Sequence, residues 1–262
     1  LSWYYRNYDL TSRSNNPGGN IIFNRKHKEI SKTLKSIKNL NKKIKLLEAK
    51  ALVNKDIVKI IDKIDNNSED LADIRDKALI LVGYYSFCRR SEILNLHYKD
   101  LIINKDSIIL KIIYSKTDPT GEGRKVLLPK NNKDKYCPVI ALNQWLEISQ
   151  IKSGPLFYKI IKSNKKNDFK RIKKFELNEN NKKISLSDTS FNSILKKRAF
   201  NAGYDMENIS GHSLRRGAIT EARRKGHSFE SIKRQSGHST NQMISKYTED
   251  QDIEDANPAK DI

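Results

Sequence analysis

The sequence predicts a mainly helical fold with one small β-sheet, which places it in the α+β class. Three observations lead to this prediction. Apolar residues recur at helical spacing along most of the chain. Only one stretch, residues 107–128, has two β-branched runs on either side of a Pro- and Gly-rich turn, a pattern that indicates a β-hairpin. With 262 residues, the chain is long enough for one large or two modest domains with a real core.

The first half of the chain contains three predicted helices. Residues 21–48 have apolar side chains on one helical face and many lysines elsewhere. That basic face is either solvated or lies along phosphates, and the sequence leaves both open. Residues 51–64 are predicted as a short capped helix, and residues 71–87 as a buried helix with Ser68 as its N-cap.

The second half continues with helices and one irregular stretch. Residues 137–149 are predicted as a helix with Pro138 in its first turn. Residues 152–183 are basic, rich in asparagine and without clear periodicity, and we expect a flexible surface insertion there. Further on, helix starts and stops are marked in turn by Ser187, Gly203, Ser228 and Gly237.

The composition points to a polyanionic partner. Fifty-one Lys and Arg residues against 31 Asp and Glu give a net charge of +20, which favours binding to nucleic acid or, alternatively, to an anionic membrane face. No apolar run approaches the roughly 18 residues needed to span a bilayer. The two cysteines, Cys88 and Cys137, are far apart and predicted to be buried small side chains. They indicate a reducing cytoplasm and neither a disulfide framework nor a zinc cluster.

Residues 209–250 hold the side chains best suited to phosphate chemistry. His212 and Arg215 are three residues apart, so they share one face of a helix. The planar guanidinium of an arginine matches phosphate bidentately, and a histidine transfers protons near neutral pH. His238 follows a predicted turn, and Tyr247 lies nine residues further on. Each of these taken alone also fits a surface helix, a structural histidine or a core tyrosine.

A second group of candidates lies upstream. Arg89 is predicted at the end of the buried helix, and Glu92 is a suitable partner for its charge. Lys116 is predicted at the tip of the hairpin, from which a lysine can reach a phosphate or a leaving oxygen. A structural ion pair and a solvated turn are the alternatives for these residues.

The motifs exclude several kinds of catalysis. The sequence has no H-E-x-x-H, no paired Cys/His ligands and no G-x-S-x-G, and its glycines do not have the spacing of a phosphate-binding loop. We therefore expect no metal and no cofactor. A phosphoryl-transfer enzyme of this kind would stabilise its transition state with cationic side chains. A tyrosine is a suitable nucleophile, because its phenol has a pKa of about 10 and forms a reversible phosphodiester.

The candidates in order resemble the tyrosine recombinases, also called phage-type integrases. The segment "YYSFCRRSEILNL" is similar to the first arginine box of that family, "HSLRRG" to the second, and "SGHSTNQMISKYTED" to the final histidine and tyrosine segment. One departure is Phe87-Cys88, where the family usually has Gly-Leu before Arg89. Two alternatives remain open: a catalytically degenerate, integrase-like DNA-binding protein, and a relative of the type IB topoisomerases, which share this chemistry.

The resemblance implies a role for each candidate residue. Each acts on the scissile phosphate or on a reacting oxygen: Arg89 and Arg215 clamp the phosphate, His238 hydrogen-bonds one of its oxygens, Lys116 protonates the departing 5′ oxygen, His212 takes part in proton transfer, and Tyr247 attacks. The attack leaves a 3′-phosphotyrosine and a free 5′ hydroxyl. Glu92 supports this site.

The resemblance also implies an organisation and partners. Residues 1–48 would be the C-terminal part of a helical DNA-clamping (core-binding) domain with its linker, residues 49–250 the catalytic domain, and residues 251–262 an acidic tail. The expected partner is double-stranded DNA, bound as a homo-tetramer that is monomeric without DNA. No membrane, small-molecule substrate, metal or high-energy cofactor is expected, and the expected location is the nucleoid in a prokaryotic cytoplasm.

Overall fold

The structure, a computed structural model, divides the chain into two compact units, residues 1–48 and 49–262. It describes residues 49–65, 68–113, 123–161 and 185–247, together with the backbone of residues 9–10, 21–22, 32–33, 36 and 174–175.

Little of the first unit is described. Strand β1 (Asp9–Leu10) pairs antiparallel with strand β2 (Ile21–Ile22). The backbone is helical at residues 32, 33 and 36. The prediction of a helix over 21–48 is therefore wrong at its start, because the β-branched pair Ile21-Ile22 forms a strand instead. The rest of that segment, with its basic face, lies mostly outside the described residues.

The second unit is built mainly from helices. Their bounds are α1 (Asn54–Asp62), α2 (Leu71–Tyr85), α3 (Arg90–Leu94), α4 (Pro138–Ser149), α5 (Asp188–Asn201), α6 (Gly211–Arg224), α7 (Phe229–Ser236) and α8 (Asn241–Ser245). The predicted start and stop signals are confirmed for α4, α5 and α7. Pro138 is the first residue of α4, Ser187 and Ser228 are N-caps, and Gly237 is the C-cap of α7.

The central helix is α2, whose second half is apolar on all sides. Its side chains from Ala78 to Val82 are almost completely buried, as expected for a helix that packs against neighbours all round. It packs mainly against α4 and α6. Gly83 gives α6 a close approach, since a methyl group there would lie 2.8 Å from the Leu214 side chain. This packing fixes α6, the helix that carries His212 and Arg215, against the core.

One antiparallel sheet of three strands lies beside these helices, in the order β3 (Leu101–Ile103), β4 (Ser107–Ile112), β5 (Arg124–Pro129). Strands β4 and β5 form the predicted hairpin, with Leu110 opposite Val126. Their alternate residues face the core, which explains the period of two in the sequence. The third strand was not predicted, because three residues are too few to produce a recognisable alternation.

Two predictions need correction. Asp70, not Ser68, is the N-cap of α2; its carboxylate accepts a hydrogen bond of 2.7 Å from Ala72 N. The predicted surface insertion over 152–183 is wrong at its beginning, because residues 156–158 are buried in the core. Further along, a short antiparallel pair forms between β6 (Ile160–Ile161) and β7 (Lys174–Phe175). The buried residues 156–158 and strand β6 belong to one short apolar run, which is hard to recognise in the sequence because many lysines follow it.

The arrangement is an α+β fold, as predicted. Cys88 and Cys137 are buried free thiols, also as predicted. In the part of the chain that the structure describes, we find no helix of the length and apolar character that a membrane span requires.

Candidate active site

The site begins at the N-terminus of α6. Ser210 is the N-cap, and its hydroxyl accepts a hydrogen bond of 3.3 Å from His212 N. One turn later the helix lies directly on the backbone of Leu52, with no room for a side chain at Gly217: a methyl group there would be 1.8 Å from the Leu52 carbonyl oxygen. This close contact fixes the position of α6 in the protein.

Arg215 is the most constrained residue of the site and is only 1% exposed. Its Nη1 donates to the carbonyl oxygens of Phe87 (2.7 Å) and Ser236 (2.8 Å), and its Nη2 lies 2.8 Å from Nε2 of His238. Burial lowers its pKa to about 10, and the charge of Arg89 contributes. Among residues 49–247 as far as they are described, no carboxylate forms an ion pair with Arg215. Its positive charge is therefore held rigidly by neutral groups.

Phe87, which replaces the glycine expected from the resemblance, has an unusual backbone conformation. Phe87 has a φ of +57°, in the left-handed region that glycine adopts without a steric penalty. Its carbonyl oxygen is one of the acceptors for Arg215. A phenylalanine thus adopts a backbone conformation that favours glycine, and its side chain packs against the main core and against a second, smaller apolar cluster formed by Ile219, Ala222, Ile232 and Ile244.

His238 follows Gly237, which ends α7 with a φ of +69°. Its Nδ1 lies 2.8 Å from the Ser236 hydroxyl, and its Nε2 faces Arg215. Both contacts are satisfied by the neutral ring, with Nε2 as acceptor and Nδ1–H as donor. Burial lowers the pKa of His238 to about 3, and the charges of Arg215 and Arg89 act in the same direction. His238 is therefore neutral at physiological pH.

Arg89 and Glu92 form the ion pair that the sequence predicted. Arg89 is the N-cap of α3; its Nη1 lies 3.0 Å from Oε1 of Glu92, and its backbone N donates to Oε2 at 2.7 Å. The same carboxylate, which is 1% exposed, also binds the guanidinium of Arg124 on β5. Arg124 was missed in the sequence, although it occupies the core-facing position of β5 two residues before buried Val126. A charged residue at such a position signals a buried partner.

Tyr247 lies just beyond α8, next to the histidines. Its hydroxyl is 3.2 Å from Nε2 of His212, and its ring centroid is 5.6 Å from that of His238. Thr220 of α6 donates to its carbonyl oxygen at 3.0 Å. Buried Ile244 anchors α8 in the second apolar cluster, against α6 and α7. Tertiary packing thus brings the end of α8 to the N-terminus of α6.

His212 lies at the solvent edge of the site. Its pKa is lowered by the protein atoms that desolvate its ring and by the positive charges of Arg215 and Arg216. A lowered pKa favours the neutral ring, whose Nε2 can accept the proton of the Tyr247 hydroxyl. Lys116 lies outside the described residues, so its place at the site stays a prediction. His227, for which the sequence suggested no role, is exposed.

The structure thus brings together six of the seven residues singled out in the sequence, namely Arg89, Glu92, His212, Arg215, His238 and Tyr247. Two guanidinium groups, those of Arg89 and Arg124, bind one carboxylate, and a third, that of Arg215, binds one of the two histidines. In the described part of the chain, no three His, Cys, Asp or Glu side chains form a set of metal ligands. The arrangement is suited to binding a phosphodiester and to presenting a phenol to it.

Comparisons with known proteins identify the family of this chain. The model of the family described as "Phage integrase family" matches residues 50–254. The "Integrase/recombinase xerD homolog" of Selenomonas ruminantium is 34% identical over 187 residues, which are 71% of this chain and 50% of the relative. The chain therefore spans about half the length of this curated relative.

Two solved structures are similar in fold. One is the XerH site-specific recombinase bound to a palindromic difH substrate, with a TM-score of 0.58 and 20% identity over 79% of this chain and 52% of that one. The other is the XerA recombinase, with a TM-score of 0.54 and 17% identity over 77% and 58% of the two chains. At such identities these structures support the fold alone. The family match and the curated relative go further: this chain belongs to the phage integrase family, the tyrosine recombinases.

Proposed function

We propose that the chain is a site-specific DNA recombinase that cleaves and rejoins DNA strands through a 3′-phosphotyrosine at Tyr247. The observation that carries this proposal is the position of Tyr247: its hydroxyl lies 3.2 Å from His212 Nε2, and its ring lies beside that of His238, which binds the guanidinium of the buried Arg215. A nucleophile, a base and phosphate-binding donors therefore lie within one site.

The proposed reaction is an exchange of phosphodiesters. The Tyr247 oxygen bonds to the phosphorus, the bond from phosphorus to the 5′ oxygen breaks, and the phenolic proton passes to His212. Lys116 is proposed to donate the proton that the 5′ oxygen requires. Arg89 and Arg215 stabilise the charge on the non-bridging oxygens. For His238 to hydrogen-bond one of these oxygens, as the resemblance implies, its Nε2 must give up the bond to Arg215 and carry the proton. Attack by a 5′ hydroxyl reverses each step, so rejoining needs no nucleotide cofactor.

The partners and domain roles belong to the same proposal. The net charge of +20 supports double-stranded DNA as the partner. We propose assembly as a homo-tetramer on DNA, with residues 1–48 as part of a DNA clamp and residues 251–262 as an acidic tail. If the basic residues form the DNA footprint, log K for DNA falls steeply with log salt concentration, and a flat dependence would contradict this.

The function is tested by trapping the covalent intermediate. The chain is incubated in EDTA with a pool of random-sequence duplexes, each nicked so that the cleaved 5′ end diffuses away. Adducts that survive SDS are isolated and their DNA is sequenced. We expect adducts on a defined sequence with the native chain and none with Tyr247→Phe, which removes one hydroxyl and should bind the same DNA equally well. DNA binding without any adduct would favour the degenerate DNA-binding protein.

A further inference from the structure

Arg124 is a charged residue that the sequence did not single out and that contacts two segments of the site, those of Glu92 and Gly237. It is the first residue of β5, opposite Ile112 on β4, at the base of the hairpin whose turn contains Lys116. Its side chain is largely buried. Burial of an arginine is unfavourable unless its charge and donors are engaged.

The main partner of Arg124 is Glu92. Two hydrogen bonds join the groups in parallel, Nη1 to Oε1 at 3.1 Å and Nη2 to Oε2 at 2.8 Å. This bidentate geometry fixes the plane of the carboxylate. The same two oxygens accept hydrogen bonds from Nη1 and the backbone N of Arg89. The orientation of Arg89 therefore depends on a carboxylate that Arg124 holds from the other side.

Arg124 also contacts the segment that carries His238. A methyl group on Gly237 would lie 2.8 Å from Cζ and Nη1 of Arg124, so the guanidinium packs directly on the glycine backbone. On the far side, Arg215 binds the Ser236 carbonyl and the His238 ring. The end of α7 thus lies between two arginines: Arg215 binds His238, and Arg124 packs on Gly237.

We propose that Arg124 is a positioning residue of the recombinase: by holding Glu92 and Gly237, it sets Arg89 and His238 in the geometry that grips the scissile phosphate. This inference rests on the proposed function. The physical basis is the planar fork, because only an arginine bonds both carboxylate oxygens while lying flat on a glycine. A lysine keeps the charge but has no planar fork, so it loses the bidentate bond to Glu92 and the flat contact with Gly237.

Loss of Arg124 should destabilise the transition state of cleavage more than it weakens DNA binding. In its absence Glu92 keeps its bonds to Arg89 and is free to rotate, which turns Arg89 away from the phosphate. Misplacement of a catalytic group by about 1 Å lowers a rate by about a hundredfold. DNA affinity depends on many phosphate contacts spread over the surface and changes little.

The test compares Arg124→Lys and Arg124→Gln with Lys125→Gln, a control on the exposed side of the same strand. Adduct formation is measured under single turnover on the nicked DNA found above, and Kd is measured for the same duplex. We expect the rate to fall about ten- to a hundredfold in Arg124→Lys and further in Arg124→Gln, with Kd within about twofold. The control should keep the native rate. A native rate in Arg124→Lys, or a loss confined to Kd, would overturn the inference.

A second measurement needs no reaction. In the DNA-free chain, the guanidinium N–H signals of Arg89 are followed by ¹⁵N NMR and assigned from their absence in Arg89→Lys. We expect them to shift and broaden in both Arg124 variants and to stay unchanged in Lys125→Gln. Unchanged Arg89 signals in the Arg124 variants reject the positioning role. Absence of adducts with the native chain would instead reject the proposed function, and the NMR result would still decide the role of Arg124.

Discussion

Acid should destabilise this protein through His238 well before its carboxylates are protonated. The folded chain holds His238 neutral, with a pKa lowered from 6.5 to about 3 by burial and by the charges of Arg215 and Arg89. In the unfolded chain the ring titrates at its ordinary value. Between these two values the unfolded state binds a proton that the folded state does not, so stability falls as the pH falls.

The size of the effect follows from that difference. Because the folded-state pKa lies below pH 5, the loss between pH 6.5 and pH 5.0 is set by protonation of the unfolded chain and amounts to about 1.6 kcal/mol. His212, whose pKa is also lowered, acts in the same direction. His238→Gln removes the titrating group, while its side-chain oxygen can still accept a hydrogen bond from Arg215.

The assay is urea unfolding at several pH values, followed by the fluorescence of buried Trp145. The native chain should lose about 1.6 kcal/mol more than His238→Gln across this window. His227→Gln, at an exposed histidine, is the control and should behave like the native chain. Equal losses in the native chain and in His238→Gln would refute the assignment of His238 as a buried neutral ring.

Substitutions at four further positions test the packing of the second unit. Gly217→Ala places a methyl group 1.8 Å from the Leu52 carbonyl oxygen and should lower the free energy of unfolding by about 3 kcal/mol, measured by urea titration; a change below about 1 kcal/mol would contradict the close contact. Arg198→Ala removes one partner of the buried Asp76 carboxylate and should lower the free energy of unfolding by about 3 kcal/mol, measured through the melting temperature. Arg90→Ala, which breaks an exposed ion pair, should lower it by less than about 1 kcal/mol. Phe87→Gly should be more stable than Phe87→Ala by about 1 kcal/mol in the same assay, since only glycine adopts the left-handed backbone freely; an equally stable alanine variant would argue against that conformation.

Local rules in the sequence predicted much of the fold and part of the site. Helix caps depend only on neighbouring backbone groups, so the local sequence was sufficient to predict those at Ser187, Ser228 and Gly237. The His212 and Arg215 pair follows from helical spacing alone. The prediction of Ser68 as the N-cap was wrong because Ser68 and Asp70 are both suitable N-cap residues. Which of them caps the helix depends on its first residue, Leu71.

The remaining features depend on contacts between distant segments. Arg124 and Glu92 are 32 residues apart, and their pairing follows from the packing of a strand against a short helix. The left-handed turn at Phe87 was not predictable from its residue type, because phenylalanine rarely adopts it. The neutral state of His238 results from burial and from the surrounding arginines, none of which a sequence pattern reveals.

The assignment of Tyr247 as the nucleophile is tested by identifying the residue joined to DNA. Trapped adducts are digested with protease and nuclease, and the remaining peptide–nucleotide conjugate is sequenced by tandem mass spectrometry. We predict a single conjugate, in which Tyr247 carries a nucleotide through its 3′ phosphate. A conjugate on any other residue, or a linkage through a 5′ phosphate, would contradict the account.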